Sequence, residues 1–282
     1  EAWELWNSMP KSSHPPSRVG VYGLMIKMHR KLKRLNEAES LFAELQREGL
    51  EPSIITYAEM IHAYAMKGCK EQATELLDKV QNTAVWIAAS VASRQVAYGG
   101  VLTACARSGD YEAARKVFDR LQGEGQQPKA HHFNSLITAC CRHYNAATAD
   151  AILAEMRAAG LSPRMEDYAA RLACSRNDLK ACEAILEDMR LNGVTVNRLG
   201  LESAVEAALH EGKVDRAREL LGQAKSCAMP PTRKTLRLEE AIAAMASGAE
   251  ARPGAAAAQT GAALPPAPGA AGEGLPQGWQ QA

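Results

Sequence analysis

The feature that most constrains the fold of this chain is an internal repeat of about 35 residues. Large apolar residues, mostly aromatic, recur at Tyr22, Tyr57, Tyr98, Phe133, Tyr168, Leu201 and Leu236. Their successive spacings are 35, 41, 35, 35, 33 and 35 residues. A second series, of small residues, has the same irregularities in the same order: Ala38, Ala73, Ala114, Ala149, Cys182 and Ala217. Because two independent series agree, the whole unit repeats, which predicts a stacked array of similar elements.

Each unit has the pattern of two short amphipathic helices. In the first unit, apolar residues recur at three- and four-residue spacing within two stretches: Tyr22, Met25 and Ile26, then Leu41, Phe42 and Leu45. A lone helical hairpin cannot bury its apolar face. The hairpins are therefore predicted to stack into an all-α solenoid, with the first helices on the concave side, while the pattern leaves the handedness of the twist open.

Turn residues mark both ends of each hairpin. The junction between the two helices carries glycines and candidate N-cap residues of the second helix: Gly68, Gly109 and Gly212, with Asp110, Asn145 and Asp178. The unit closes with a glycine and a proline three residues later: Gly49 and Pro52, Gly125 and Pro128, Gly160 and Pro163, with Pro231 in the same phase. A proline so placed prevents the helix from resuming.

These signals divide the chain into an array and a tail. Six full units are predicted over residues 19–53, 54–94, 95–129, 130–164, 165–197 and 198–232. Partial units at 1–18 and 233–248 complete an array over 1–248, and such half-hairpins are expected in a piece of a longer protein. Residues 249–282, rich in Ala, Gly, Pro and Gln, are predicted to be a disordered tail.

Two units depart from the common length. The second has six extra residues between Gln81 and Arg94, a stretch that includes Trp86, and the fifth is two residues short between Ser175 and Asp178. A solenoid absorbs such changes as local bulges or bends. Trp86 is expected to fill the bulge made by the insertion rather than to contact a partner.

Composition excludes several classes of protein. The 33 basic and 32 acidic residues leave a net charge of +1, so the total charge does not indicate a polyanionic partner. The seven cysteines include no Cys-x-x-Cys pair, which disfavours a disulfide framework or zinc ribbon and indicates a reducing compartment. No apolar run approaches the roughly 18 residues of a membrane span.

The sequence lacks the common catalytic and metal-binding motifs. The chain has no Gly-rich phosphate loop, no Gly-x-Ser-x-Gly elbow and no zinc deaminase signature, so no enzyme activity, cofactor or small-molecule substrate is predicted. Cys140, Cys141 and His143 are residue types that bind metals, but no second pair of ligands accompanies them. Cys140 is instead expected to be a small buried residue, as is Cys105 one repeat earlier. His131 and His132 are predicted to lie in the groove or on the surface.

One segment shows the repeat most clearly and carries a family resemblance. It contains Phe133-Asn134-Ser135-Leu136-Ile137, then Ile152-Leu153-Ala154-Glu155-Met156, and closes with Gly160-Leu161-Ser162-Pro163. A 35-residue hairpin with these features resembles the pentatricopeptide repeat family over about residues 2–246. The resemblance implies a right-handed superhelix that binds single-stranded RNA, in mitochondria or chloroplasts, with about one base read per repeat.

In that family the fifth and last residues of a repeat face the base, and the second residue wedges between bases. The implied fifth residues are Gly23, Ala58, Gly99, Asn134, Ala169 and Glu202. The implied last residues are Ser53, Arg94, Lys129, Arg164, Asn197 and Thr232. The wedge position is apolar at Ile55, Val96 and Leu199, but not at Gly20, His131 and Glu166. Only Asn134 is a usual base reader, so weak sequence preference is predicted.

Charge placement along the first helices supports a nucleic-acid track. Basic residues recur near the end of the first helix, at Lys31, Arg107 and Arg142 with Lys67 nearby, where they could follow a phosphate backbone. The first helices carry a net charge of about +4, although the sixth contributes −2. The sequence therefore predicts single-stranded RNA binding in organellar RNA processing, stability or translation. The alternative is a scaffold that holds a peptide or partner protein in the concave groove.

Overall fold

The computed structural model describes residues 15–141, 146–227 and 232–246, and these contain fourteen helices and no strand. Six of them form three hairpins at the beginning of the array: α1 (Pro15–Lys31) with α2 (Leu35–Arg47), α3 (Ile54–Lys67) with α4 (Lys70–Gln81), and α6 (Val91–Ser108) with α7 (Tyr111–Gly123). A short helix, α5 (Ala84–Ala88), lies between the second and third hairpins. The all-α prediction is confirmed.

The remaining helices continue the same alternation. They are α8 (Ala130–Cys141) with α9 (Ala146–Ala158), α10 (Met165–Cys174) with α11 (Leu179–Leu191), α12 (Arg198–His210) with α13 (Val214–Ser226), and the single helix α14 (Arg233–Ala246). The first helix of each hairpin packs on its own second helix and on the first helix of the next hairpin. This nearest-neighbour packing is the organisation of a solenoid.

Both series that define the repeat lie in the core. The aromatic series from Tyr22 to Leu201 is at most 4% exposed, and every residue of the small series, Ala38 to Ala217, is fully buried. Leu236 of α14 is the exception, at 50% exposure. Edge-to-face ring pairs join successive units, as between Phe118 and Phe133 at 4.9 Å.

Turn chemistry explains where the helices end. The junction glycines Gly68, Gly109 and Gly212 have φ between 73° and 81°, a left-handed conformation in which a Cβ would be strained. Asp110 and Asp178 cap the second helices as predicted, each accepting a backbone N–H bond of 2.9 Å. The predicted cap Asn145 lies outside the described residues, as do Pro231 and the segments 1–14 and 249–282.

The insertion in the second unit forms α5 and changes the start of the third. Trp86 is 5% exposed and packs edge-to-face on Tyr98, with ring centroids 5.6 Å apart, so the prediction that it fills the bulge is confirmed. The added residues also extend α6 backwards: it begins at Val91, with the Ser90 hydroxyl as its cap, four residues before the predicted boundary.

Candidate nucleic-acid interface

The first helices place equivalent residues of successive repeats in rows. Since α1, α3, α6, α8, α10, α12 and α14 have the same orientation in their hairpins and pack side by side, residues at one position of the repeat follow one another along the array. Three rows concern the predicted interface: the fifth and last residues, the second residues, and the basic residues at the helix ends.

The fifth residues pack against the next repeat. A Cβ on Gly23 would lie 3.1 Å from Thr56 Oγ1, and a Cβ on Gly99 would lie 3.2 Å from His131 Nε2. Ala58 is 3% exposed, and Ala169 is half-buried. The small side chains at this position therefore allow adjacent first helices to approach closely. They leave no hydrogen-bonding group for a base edge.

Asn134 has a side chain that the structure orients. Its Nδ2 donates to Asp167 Oδ1 at 3.0 Å, and Asp167 Oδ2 accepts from the backbone N–H of Arg164 at 2.8 Å. Asp167 is only 1% exposed, so this arrangement is shielded from water. A carboxamide has one acceptor and two donor hydrogens, so the bond to Asp167 leaves the carbonyl oxygen of Asn134 available for a base.

Glu202, the fifth residue of the sixth repeat, has a structural role. Its Oε1 accepts from Thr235 Oγ1 at 2.5 Å and from Thr232 Oγ1 at 3.3 Å, and the residue is 2% exposed. The carboxylate thus joins α12 to the N-terminus of α14. It is buried in this interface and is not presented to a ligand.

The last residues of most units stand at the N-terminus of the next first helix. Ser53 Oγ accepts from Thr56 N at 3.2 Å, and Asn197 Oδ1 accepts from Gly200 N at 2.9 Å. Thr232, Lys129 and Arg164 occupy the same place before their helices. Arg94 does not, because the insertion places it inside α6, where its guanidinium is 4.0 Å from Glu124. The predicted role of Arg94 as a last residue is therefore wrong.

His132 differs from its prediction. It is fully buried, its Nδ1 accepts from the backbone N–H of Lys129 at 3.0 Å, and its Nε2 lies 3.2 Å from the Gln95 carbonyl oxygen. Burial lowers the pKa of His132 to about 4. The third residue of a first helix points at the preceding repeat, and Gly99 there makes room for the ring. His131 is exposed, as predicted.

The third position of the repeat carries polar residues that were not among the predicted site residues. Thr56, His132, Asp167 and Thr235 all occupy it, and each bonds the last residue of the preceding unit. The signal was present as a capping pattern: a polar residue, then a second polar residue three positions later at the start of a helix. The third residues fix the last residues and contact the fifth residues of the preceding repeat.

The second residues form an exposed apolar row. Ile55, Val96 and Leu199 are 62%, 48% and 50% exposed, near the N-termini of α3, α6 and α12. Because they occupy one position of the repeat, these side chains follow one another along the array. At the corresponding positions Gly20, His131 and Glu166 are exposed but offer no aliphatic surface.

The basic row lies at the opposite ends of the same helices. Lys31, Lys67 and Arg107 are exposed in the last turns of α1, α3 and α6, and among the described residues no carboxylate pairs with them. Arg142 lies outside the described residues. Two further cations of α1, Lys27 and Arg30, are instead directed to Glu59, at 3.9 and 2.7 Å.

The acidic side chains of the sixth repeat are already partnered. Glu206 is 3.1 Å from Lys234 Nζ, and Glu211 is 2.7 Å from Lys213 Nζ. Because Glu202 is also bonded within its interface, the net −2 of this helix is offset by neighbouring groups. The acidic sixth unit therefore does not present a row of free carboxylates to a basic partner.

Metal and catalytic candidates are not assembled in the part of the chain that the structure describes. No group of three His, Cys, Asp or Glu side chains converges there. Cys140 and Cys105 are at most 1% exposed and belong to the core as predicted, while His143 lies outside the described residues. Within the same ranges, no helix is both long and apolar enough to cross a membrane.

Stacked helical hairpins with one continuous row of first helices define an α-helical repeat protein of the solenoid class. Three family models agree on the kind of repeat: "Pentatricopeptide repeat-containing protein" matches residues 97–224, "Pentatricopeptide repeat domain" matches 40–85, and "PPR repeat" matches 20–50. The chain belongs to the pentatricopeptide repeat family.

Curated relatives share the repeats at modest identity. A chloroplastic pentatricopeptide repeat-containing protein of Arabidopsis thaliana is 25% identical over 166 residues, covering 59% of this chain and 17% of the relative. The mitochondrial 15S rRNA processing factor CCM1 of Yarrowia lipolytica is 26% identical over 177 residues, covering 61% and 22%. This chain thus spans about a fifth of the length of these relatives.

Solved structures show the same fold. The pentatricopeptide repeat protein PPR10 from maize superposes with a TM-score of 0.64 at 24% identity, over 82% of this chain and 32% of that one. The nuclear protein-only RNase P 2 of Arabidopsis thaliana superposes with a TM-score of 0.51 at 18% identity, over 64% of this chain and 40% of that one.

Proposed function

We propose that this chain binds single-stranded RNA along the face formed by its first helices. The observation that carries the proposal is two exposed rows on the first helices, both of them present on α3 and α6. Apolar residues lie towards one end, Ile55, Val96 and Leu199, and unpaired cations at the other, Lys31, Lys67 and Arg107. Aliphatic groups can insert between unstacked bases, while lysine and arginine neutralise the phosphates.

The same geometry indicates weak sequence preference. Gly23, Ala58 and Gly99 are packed into the array and offer no polar group, and Glu202 is bonded to threonines. Asn134 alone combines a base-reading type with a fixed orientation. Binding energy then comes mainly from phosphate contacts and base stacking, which are tolerant of sequence.

We propose an organellar setting and a role in RNA processing, stability or translation. The support comes from the relatives, one named as chloroplastic and another as a mitochondrial rRNA processing factor. We further propose that the repeat array acts by binding alone. A fluorescent fusion of the full-length parent protein should co-localise with a mitochondrial or chloroplast marker, and a diffuse cytosolic signal would contradict the setting.

Salt dependence of affinity tests the phosphate track. If Lys31, Lys67, Arg107 and Arg142 each neutralise one phosphate, single-strand affinity should fall with log salt at a slope of about −3, or roughly fiftyfold between about 50 and 200 mM. Fluorescence anisotropy with a labelled single strand measures the slope. Duplex RNA should bind more weakly, because its bases are not available to the apolar row.

A pair of double variants separates RNA binding from a general charge effect. Arg107→Ala with Arg142→Ala should reduce the slope by roughly 1.4, which corresponds to two lost phosphate contacts. The matched control, Arg190→Ala with Arg218→Ala, removes the same charge from the second helices α11 and α13, where both side chains are exposed. It should leave the slope unchanged. If both double variants change the salt slope equally, the proposed row of phosphate contacts is contradicted and a protein-binding scaffold is favoured.

A further inference from the structure

The apolar core is divided between the fourth and fifth hairpins. One hydrophobic cluster extends from Tyr22 to Met156, and a second extends from Tyr168 to Ile242. Of the buried residues of α10, only Cys174 belongs to the first cluster. The interface between the fourth hairpin (α8 and α9) and the fifth (α10 and α11) is called here the joint. In a repeat array each hairpin is held mainly by its neighbours, so a bond across the joint would restrain one hairpin on the other.

Polar contacts also cross the joint. Arg171 of α10, with a side chain only 6% exposed, bonds Asp150 of α9 through both carboxylate oxygens, at 2.5 and 2.8 Å. The amide of Asn134 bonds Asp167 across the same interface. These bonds are directional, so they favour one geometry of the joint.

Two cysteines meet across the joint. Cys141 ends α8 and Cys174 ends α10, and their Sγ atoms are 2.8 Å apart. Sulfurs in a disulfide are about 2.05 Å apart, so a closure of less than ~1 Å would form the bond. Cys141 is partly exposed and gives an oxidant access, while Cys174 is 5% exposed. Separate hairpins thus present two thiols in bonding range.

The surroundings also favour reaction. The two thiols lie in hydrogen-bonding contact and the Arg171 guanidinium lies nearby, so the pKa of the Cys174 thiol is lowered from its usual value while that of Cys141 is raised. The thiolate is the reactive form of cysteine. Other buried cysteines differ in this respect: burial raises the pKa of Cys105 to about 11 and of Cys182 to about 12.

We infer that Cys141 and Cys174 form a reversible redox site that bridges α8 and α10 and clamps the joint, independently of RNA binding. With glutathione disulfide as oxidant, one thiol of the pair loses its proton and attacks a glutathione sulfur, releasing one glutathione. The second thiol then displaces the other glutathione and loses its own proton. The two cysteines lose two electrons in total, and glutathione disulfide gains them to become two glutathione molecules.

Peptide mapping of the folded chain tests the bond. After treatment with glutathione disulfide and alkylation, trypsin should yield peptide 130–142 joined to peptide 172–176, and the free thiols should fall from seven to five. Dithiothreitol should restore them. Because this measurement uses the unmodified sequence, it does not depend on whether a variant folds. If the two peptides are recovered separately, the inference is wrong.

Matched variants assign the bond to its sulfurs. Cys140→Ala changes the adjacent buried cysteine and should keep the linked peptides, because its side chain lies in the core. Cys141→Ser should abolish them. Linked peptides in Cys141→Ser would overturn the assignment, since Cys140 would then be the partner.

Hydrogen exchange tests the clamp. Oxidation should slow amide exchange at the C-terminal turns of α8 and α10 and leave α3 and α4, two hairpins away, unchanged. Linked peptides without any slowing would show a bond that does not restrain the joint, and would overturn this part of the inference.

Discussion

At the scale of single residues, the structure separates side chains that hold the array together from those that are available to a ligand. Glu202 and His132 both have polar groups in the predicted groove, yet each is buried and bonded within the protein. Asn134 is held by one bond to Asp167 and keeps its carbonyl oxygen free. The position of a residue in the family's repeat does not by itself show whether its side chain is buried or available to a ligand.

Asn134 should be the one position that gives a base preference, leaning to pyrimidines by family resemblance. Asn134→Ala should flatten the preference at a single nucleotide by about threefold to tenfold, because one hydrogen bond contributes about 0.5–1.5 kcal/mol. Selection from a random single-stranded RNA pool measures this. The control Asn36→Ala alters an exposed asparagine of α2 and should have no effect. Strong preferences at several nucleotides in the unmodified protein would contradict a weakly specific array.

The buried His132 should make the array sensitive to acid. Its pKa is lowered from 6.5 to about 4, so the unfolded chain takes up a proton at higher pH than the folded chain does. Stability from the neutral ring is therefore complete above pH 6.5 and is lost as the pH falls towards about 4, by roughly 2–3 kcal/mol. Urea titrations at a series of pH values measure the loss. His132→Gln should be less stable at neutral pH but lose less on acidification, and an equal acid loss would contradict the assignment.

At the scale of helices, close approach decides which residues the repeat can carry. The small series is fully buried where helices meet, and burial of Ala149 in α9 is complete. Core positions are packed near crystal density, so added volume there forces the surrounding helices apart. The glycines at the fifth position are restricted in the same way, because adjacent first helices leave little space for a side chain there.

Ala149→Trp should therefore destabilise the array by about 1–3 kcal/mol or more, the usual range for overpacking. Ala151→Trp is the matched control, because Ala151 lies on the same helix and is exposed. Thermal unfolding followed by circular dichroism compares the two. If Ala149→Trp melts at the temperature of the unmodified protein, the phase of the repeat is misassigned.

At the scale of the whole molecule, the described array contains two apolar clusters, which meet between the fourth and fifth hairpins. Among the described residues, the first cluster contains most of the buried aromatic side chains, whereas Tyr168 is the only one in the second. Aromatic side chains contribute large apolar areas, so the second cluster gains less stability from burial. Because a linear array has no single shared core, the difference in stability between the two clusters should persist along the array.

Hydrogen exchange of the reduced protein should show this difference. The helices of the sixth hairpin, α12 and α13, should open together and exchange faster than α3, α4 and α6 in the first cluster. Mass spectrometry of peptides from each hairpin measures the rates. A single common opening rate across the described helices would mean that the joint transmits stability fully, and the division of the core would then have no energetic meaning.

Much of this fold follows from the sequence, because its determinants are local and repeated. The period, the helical hairpins, the buried aromatic and small series and the turn glycines each depend on neighbouring residues in the chain. Trp86 could be placed for the same reason, since an insertion beside a large apolar residue needs burial. The rows of basic and apolar residues also followed from the repeat, since equivalent positions must align.

Only the tertiary structure decided how polar residues are used between repeats. The pairing of third residues with fifth residues of the preceding unit, the burial of His132 and the contact of Cys141 with Cys174 join positions 33 to 37 residues apart. The displaced start of α6, which moved Arg94 into a helix, depended on how the inserted turn packs. Periodicity shows which positions are equivalent, but which polar groups meet depends on the spacing and rotation of adjacent helices. Those are set by side-chain packing across the interface, which no local pattern contains.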